Sequence, residues 1–80
     1  LKGAESRLAG LLLELANGVA GKPLPGYKRR ELADMIGVST ETAIRLLGKL
    51  KSKGAVETQG RDIVVRDLER LRRIAAHDEA

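Results

Sequence analysis

Apolar residues recur at helical spacing in the first part of the chain. From about Glu5 they stand at i, i+3, i+4, i+7 and i+8, which predicts an amphipathic helix with one buried face. The apolar positions are Leu8, Leu11, Leu12, Leu15 and Ala16. The next two residues, Asn17 and Gly18, are of the types that commonly end a helix in the left-handed conformation. The first predicted element is therefore a helix that closes at Asn17-Gly18.

The stretch Tyr27–Lys53 predicts two short helices with a tight turn between them. Gly37 stands where the chain must turn. Ser39 is a suitable N-cap for the second helix, because its hydroxyl can accept a hydrogen bond from a free backbone N–H of the next turn. That helix runs from about residue 39 to residue 53, and Gly54 ends it. The apolar positions of the first helix are Leu32, Ala33 and Ile36. Two short helices joined by a short turn that contains Gly form the helix-turn-helix pattern.

A β-hairpin and a last helix are predicted after this motif. Ala55–Thr58 and Asp62–Val65 contain β-branched residues and flank Gln59-Gly60-Arg61, where Gly60 permits a turn. Asp67 can then cap a final helix, in which apolar residues again keep helical spacing. These residues are Leu68, Leu71 and Ile74 or Ala75.

The segment between the first helix and the helix-turn-helix, residues 18–26, is rich in Gly and Pro. It predicts a loop or a pair of very short strands, and Pro23 and Pro25 exclude a central strand because proline lacks the N–H of the ladder. The order is then helix, loop, helix-turn-helix, β-hairpin and helix. It predicts one α+β domain over residues 1–80, mostly α-helical: a winged helix-turn-helix whose wing is the hairpin.

Composition limits the partners of such a domain. Lys and Arg outnumber Asp and Glu by 15 to 11, and the net charge of +4 suits a polyanion, although many unrelated small proteins share it. One Tyr and no Phe or Trp argue against single-stranded nucleic acid, whose bases stack on aromatic rings. The lack of Cys is compatible with the cytoplasm, where we expect the protein to lie. No apolar run approaches the ~18 residues of a membrane span, so no membrane partner is expected.

The second helix of the motif has two different faces. At about 100° per residue one side is apolar and the other carries an acid, a base and an isoleucine. The apolar side holds Ala43, Leu46, Leu47 and Leu50, and the opposite side holds Glu41, Ile44, Arg45 and Gly48. Arg45 can donate twice to guanine O6 and N7, Glu41 can accept from cytosine N4, and Ile44 can touch a thymine methyl. Gly48 would let the helix approach the groove closely.

Each of these residues also has a purely structural interpretation. Glu41 and Arg45 are an i, i+4 pair that would give the helix about 0.3–0.5 kcal/mol without any ligand. Ile44 would be buried if a neighbouring element of a longer protein covered it, and Ser39 would serve only as a cap.

Basic residues surround the motif, and they would either contact phosphates or form a solvated face. They are Lys28, Arg29, Arg30, Lys49, Lys51 and Lys53. Arg61 at the hairpin turn is a stronger candidate, because the tip of a wing projects towards the DNA backbone or the minor groove.

The string Ile36–Leu47, IGVSTETAIRLL, resembles the Crp/Fnr family of bacterial transcription regulators. The likeness continues upstream through Arg29–Ala33 and downstream through Gly60–Leu71, so it covers nearly the whole chain. In that family the module binds DNA as a dimer at two inverted half-sites. The resemblance implies that Glu41 and Arg45 read a G·C pair in a GA step. It also implies phosphate contacts for Arg29, Ser39 and Thr42.

The chain departs from the family pattern in two residues. Thr40 stands where many members have a base-reading arginine, and we place it among the base readers. Lys28 replaces the usual threonine cap, so we expect the first helix of the motif to begin loosely. The resemblance also implies that a sensor domain and a dimerisation helix precede Leu1. Any effector would bind there, and we expect no cofactor in this domain.

These observations favour sequence-specific binding of double-stranded DNA, with the helix at about 39–53 in the major groove. The expected base readers are Glu41, Arg45, Ile44 and Thr40. The expected backbone contacts are Arg29, Ser39, Thr42, Lys49, Lys51 and Arg61. We expect a homodimer in the full-length regulator, a monomeric or weakly associated fragment, and RNA polymerase as a further candidate partner.

Two other classes of function have to be considered. A winged helix can serve as a protein–protein interaction module, which would usually show a larger apolar patch with aromatic anchors. An enzyme is disfavoured, because the chain has a single His, no Cys nucleophile, no phosphate-binding glycine loop and no cluster with metal-ligand spacing.

Overall fold

The computed structural model describes residues 3–24 and 26–77 of the chain. Within these residues it has four helices and three short strands. They are α1 (Ala4–Ala16), β1 (Pro23–Leu24), α2 (Arg29–Ile36), α3 (Thr40–Ser52), β2 (Val56–Gln59), β3 (Asp62–Val65) and α4 (Leu68–Ala76). The predicted α+β fold, mostly helical with a hairpin wing, is therefore confirmed.

Helix α1 packs on the other three helices, and most extensively on α4. Leu8 and Leu12 are almost completely buried, as is Leu71 of α4. Burying a side chain of this size stabilises the fold by about 1.5–3 kcal/mol. The Ser6 hydroxyl donates to the backbone carbonyl of His77 over 2.7 Å, which ties the start of α1 to the end of α4. The helix ends as predicted, since Asn17 adopts the left-handed conformation.

The turn between α2 and α3 follows from the glycine at its first position. Gly37 has φ of 74°, a conformation in which a Cβ is disfavoured. The Gly37 N–H donates to the Asp34 carbonyl, and the Val38 N–H donates to the Ala33 carbonyl, which is the Schellman ending of a helix. Ser39 then caps α3 as predicted, because its Oγ accepts from the Thr42 N–H over 3.1 Å.

The start of α2 has no side-chain cap from Lys28. Lysine carries donors only, so its side chain cannot accept from a helix N–H. Glu31 compensates in part: its Oε1 accepts from the Lys28 backbone N–H over 3.0 Å. The Glu31 carboxylate also lies in the first turn, where the helix dipole favours negative charge.

The three strands form an antiparallel sheet in the order β1-β3-β2. Pro23 is paired with Val64 at the edge of this sheet, which agrees with the exclusion of a central strand there. Pro25 lies outside the described residues. The central strand β3 is buried at three successive residues, because both of its faces are covered. These residues are Ile63, Val64 and Val65.

The hairpin differs from the prediction by one residue. The first strand runs over Val56–Gln59 rather than 55–58, because Gln59 pairs with Asp62 and extends the ladder. The connection is therefore the two-residue loop Gly60-Arg61 instead of three residues. Gly60 has φ of 61°, and a positive φ at the first of two loop residues is typical of a type II′ hairpin turn.

Candidate nucleic-acid interface

Helix α3 is held to the core by its predicted apolar face. Leu50 is completely buried, and the other three residues of this face are at most 5% exposed. They are Ala43, Leu46 and Leu47. The axial position and rotation of α3 are therefore set by close packing, in which a displaced side chain would cost contacts on all sides. The opposite face of the helix points away from the core with a fixed orientation.

The outer face of α3 carries the predicted base readers. Glu41 and Arg45 are exposed, Ile44 is 53% exposed, and Thr40 is partly exposed at the first helical position. Among the residues that the structure describes, Glu41 and Arg45 make no ion pair with each other or with a third residue. The alternative in which they only stabilise the helix as a pair is thus not what the structure shows. Their charged groups are available to a ligand.

Gly48 lies on the same outer face. It is exposed, and a Cβ built at this position would meet no atom within 4 Å. The residue is thus not required by contacts inside the domain. A helix interior normally prefers Ala over Gly by about 0.8–1.0 kcal/mol.

The N-terminus of α3 presents two hydroxyl groups. The oxygen atoms of Ser39 and Thr42 lie 2.9 Å apart and share one hydrogen bond, so one hydroxyl hydrogen of the pair stays free. The unpaired backbone N–H groups of the first turn and the helix dipole make such an end favourable for an anion. Two of the six residues that were predicted to contact the DNA backbone are thus placed together by the capping interaction.

The wing approaches the start of α2. The Arg29 guanidinium Nη1 donates to the backbone carbonyl of Arg61 over 2.8 Å. Between these elements lies an open cleft of about 530 Å³, lined by residues 26–29 and 60–62. The structure therefore brings together two predicted backbone contacts that stand 32 residues apart in the chain. It also adds Tyr27 to this region, a residue that the charge pattern did not single out.

The two lysines predicted to contact the backbone lie on different sides of α3. Lys49 is exposed one turn after Arg45, and both line a shallow groove between the outer face of α3 and Glu5 of α1. The Lys51 Nζ lies instead 3.4 Å from Oγ1 of Thr58, on the first strand of the wing. Lys51 is therefore on the side of the helix that faces the hairpin, and the two residues are not part of one cluster.

Exposed apolar side chains are scattered over the described surface. The large ones are Val19, Met35 and Ile44. They lie on a loop, on α2 and on α3, and the one aromatic residue, Tyr27, is partly buried. Scattered apolar residues need no partner, whereas a docking face concentrates them. This arrangement does not favour the alternative of a protein-docking helix.

Within residues 3–24 and 26–77, no group of three or more His, Asp or Glu side chains is placed to hold a metal ion. No helix of the described part of the chain is long and apolar enough to cross a membrane.

A family model described as the Crp-like helix-turn-helix domain matches residues 6–74. The chain belongs to this family. The match covers α2, α3 and the wing completely, and all of α1 and α4 except two residues at the outer end of each. The resemblance inferred from Ile36–Leu47 is therefore confirmed. The Crp-like domain is a DNA-binding domain of transcription regulators, and the chain has its winged helix-turn-helix fold.

The chain is also similar to a regulator from another organism and to solved structures. The electron transport regulator A of Shewanella oneidensis is 29% identical over 82 aligned residues, which cover 95% of this chain and 33% of that protein. A CRP/FNR-family transcriptional regulator of Thermus thermophilus superposes with a TM-score of 0.83 at 26% identity, covering 98% of this chain and 43% of its own. FixK2 of Bradyrhizobium japonicum superposes with a TM-score of 0.80 at 33% identity, and the alignment covers 99% of this chain and 40% of FixK2. The chain thus spans less than half the length of these relatives.

Proposed function

We propose that this Crp-like domain binds double-stranded DNA sequence-specifically, with α3 as the recognition helix in the major groove. The observation that carries the proposal is the division of α3 into two faces. One face is apolar and buried, and the charged groups of the outer face make no ion pair with any residue that the structure describes. A major groove admits one helix, and the first turns of that helix reach the base edges. Glu41 and Arg45 occupy those turns, with Thr40 before them and Ile44 between them.

The roles follow from the chemistry of each side chain. Arg45 donates to guanine, Glu41 accepts from cytosine N4, and Ile44 contacts a thymine methyl. Thr40 can donate to or accept from a base edge. Phosphate contacts set the register without reading sequence, and they release counterions from the DNA. We assign these contacts to Arg29, Ser39, Thr42, Lys49, Lys51 and Arg61.

For the whole protein we propose a cytoplasmic bacterial transcription regulator that binds as a homodimer to two inverted half-sites. The relatives support this assignment, since they are regulators more than twice as long as this chain. A single domain would bind weakly, because the avidity of a second half-site is missing. An effector would act on a part of the regulator outside this domain, which itself acts as a binding module and not as an enzyme. RNA polymerase is a further candidate partner.

Fluorescence anisotropy tests the proposal directly. The 80-residue chain is titrated onto a short duplex with two inverted GA-containing half-sites and onto a scrambled duplex, each at several salt concentrations. We expect preference for the inverted sites and a steep dependence of affinity on salt. No binding even at low salt would refute DNA binding and would favour the protein-docking alternative.

Two variants separate base reading from phosphate contact. Arg45→Ala should lose about 1–3 kcal/mol of binding free energy on the preferred duplex and relax the preference at one base pair. Lys51→Ala should weaken binding to both duplexes alike and lower the salt slope by about one. Arg45 makes no hydrogen bond or ion pair with described residues, so stability should change by less than about 0.5 kcal/mol. Equal losses on both duplexes for Arg45→Ala would show that it does not read a base.

A further inference from the structure

In the part of the chain that the structure describes, one side chain from another element is hydrogen-bonded to the tip of the wing. Its ladder ends at the pair Gln59 and Asp62, and the two loop residues beyond that pair, Gly60 and Arg61, are exposed. The Arg61 carbonyl accepts from Nη1 of Arg29 over 2.8 Å. Among the described residues, this is the side-chain hydrogen bond that joins the loop to another element of the domain.

The position of Arg29 on α2 suits it to hydrogen-bond the wing. It is the first residue of α2, and it is partly buried. Its guanidinium is planar and has five N–H donors, so a bond to a carbonyl leaves other donors free for a phosphate. The neighbouring Arg30 is exposed and makes no hydrogen bond or ion pair with the residues that the structure describes. The bond to the wing thus depends on the position of Arg29, not on basic charge in general.

We propose that Arg29 is a positioning residue for the wing: its bond to the Arg61 carbonyl sets the distance between the wing tip and the helix-turn-helix. The Arg61 side chain then meets the DNA backbone when α3 occupies the groove. This proposal rests on the proposed function for its effect on DNA affinity, but the bond itself acts in the free protein. If Arg29 were only a phosphate ligand, its loss would leave the wing tip ordered, and its effect on affinity would be independent of Arg61.

The first test measures the order of the wing tip without DNA. Backbone ¹⁵N order parameters are determined for the Gly60 and Arg61 amides in the parent chain, in Arg29→Met and in Arg30→Met. Methionine keeps an unbranched stem but has no donor, and Arg30→Met removes the same charge from the same turn. We expect values near about 0.85 in the parent and in Arg30→Met, and below about 0.6 in Arg29→Met. Unchanged values in Arg29→Met would overturn the proposal.

The second test is a double-mutant cycle on DNA. The affinity for the preferred duplex is measured for Arg29→Met, Arg61→Ala and the double variant. Arg61→Ala keeps the carbonyl and removes only the side chain that the bond positions. Arg29→Met should lower affinity by a larger factor in the parent than in the Arg61→Ala background. The two factors should differ at least about twofold, which is the low end of coupling between interacting residues. Equal factors in both backgrounds would overturn the proposal.

The two tests also separate this proposal from the proposed function. If the parent chain binds no DNA, the proposed function fails, and the order parameters alone decide whether Arg29 positions the wing. If the parent chain binds and prefers its site while Arg29→Met leaves the wing tip ordered, the function stands and the positioning role is wrong.

Discussion

The substitution Gly48→Ala should raise the stability of the domain and lower its affinity for DNA. Gly48 is in the interior of α3, and an added Cβ would meet no atom within 4 Å. Because nothing has to move, the full difference in helix propensity is gained, about 0.8–1.0 kcal/mol. For a domain of this size, such a gain raises Tm by roughly 4–8 °C.

The same methyl group should hinder binding, because Gly48 shares the outer face with Ile44 and Arg45. A helix that lies closely in the groove would have to move outwards to accommodate it. We expect Kd for the preferred duplex to rise about threefold to tenfold, which corresponds to about 0.7–1.4 kcal/mol. The sign of the effect on stability is thus opposite to that on affinity.

Gly10→Ala is the matched control. Gly10 is in the interior of α1, and a Cβ there also meets no atom within 4 Å. It lies outside the proposed interface, so the variant should gain similar stability with no change in Kd. Urea unfolding followed by circular dichroism gives the stabilities, and anisotropy gives the affinities.

Two results would refute this reasoning. A Gly48→Ala variant that is less stable than the parent, next to a stabilised Gly10→Ala, would mean that the outer face of α3 is covered in solution. A stabilised Gly48→Ala with unchanged Kd would mean that α3 does not approach DNA closely at this turn.

Two further predictions concern the helix caps. Ser39→Ala removes the acceptor of the Thr42 N–H and should cost about 1 kcal/mol in urea unfolding, whereas Ser52→Ala at the exposed end of α3 should cost less than about 0.5 kcal/mol. The hydrogen bond from the Arg70 backbone N–H lowers the pKa of Asp67 below its ordinary value of 3.8, with smaller contributions from the Arg70 charge. A carboxyl whose pKa is lower in the folded than in the unfolded protein stabilises the fold at pH values above its unfolded-state pKa. This contribution is lost as the pH falls through the folded-state pKa. Asn at position 67 can still cap the helix but does not titrate. The free energy by which the parent is more stable than Asp67→Asn should therefore shrink as pH falls below 3.8. Urea unfolding midpoints at several pH values measure this difference.

The helices and their ends were predictable from sequence because their causes are local. Apolar spacing located the buried face of each helix, and the caps at Ser39 and Asp67 depend on residues three positions away. The same holds for the turn at Gly37, whose conformation is set within one turn of α2. The exposed face of α3 could be predicted from its apolar face, since a helix that packs one side on the core exposes the opposite side to solvent.

Contacts between distant residues were not predictable in this way. Nothing in the sequence pairs Arg29 with Arg61, or Glu5 with Lys53, whose charged atoms lie 2.7 Å apart although 48 positions separate them. Strand β1 has only two residues and exists because β3 offers it a partner. Such features depend on packing of the whole chain. The roles assigned to the individual DNA-contacting residues stay predictions until binding is measured.

The way the proposed DNA-contacting elements are attached explains how recognition can change without loss of the fold. Buried apolar residues hold α3 and the wing, among them Leu50 and Ile63. The proposed base readers Glu41, Ile44 and Arg45 are instead exposed and contribute little folding energy. Polar contacts then join these elements to one another: Arg29 ties the wing tip to α2, and Lys51 lies against the first strand of the wing from α3. Under the proposed function, we expect substitution on the outer face of α3 to alter which bases are read. We expect substitution at a contact between the elements to alter whether the wing and α3 bind DNA at the same time.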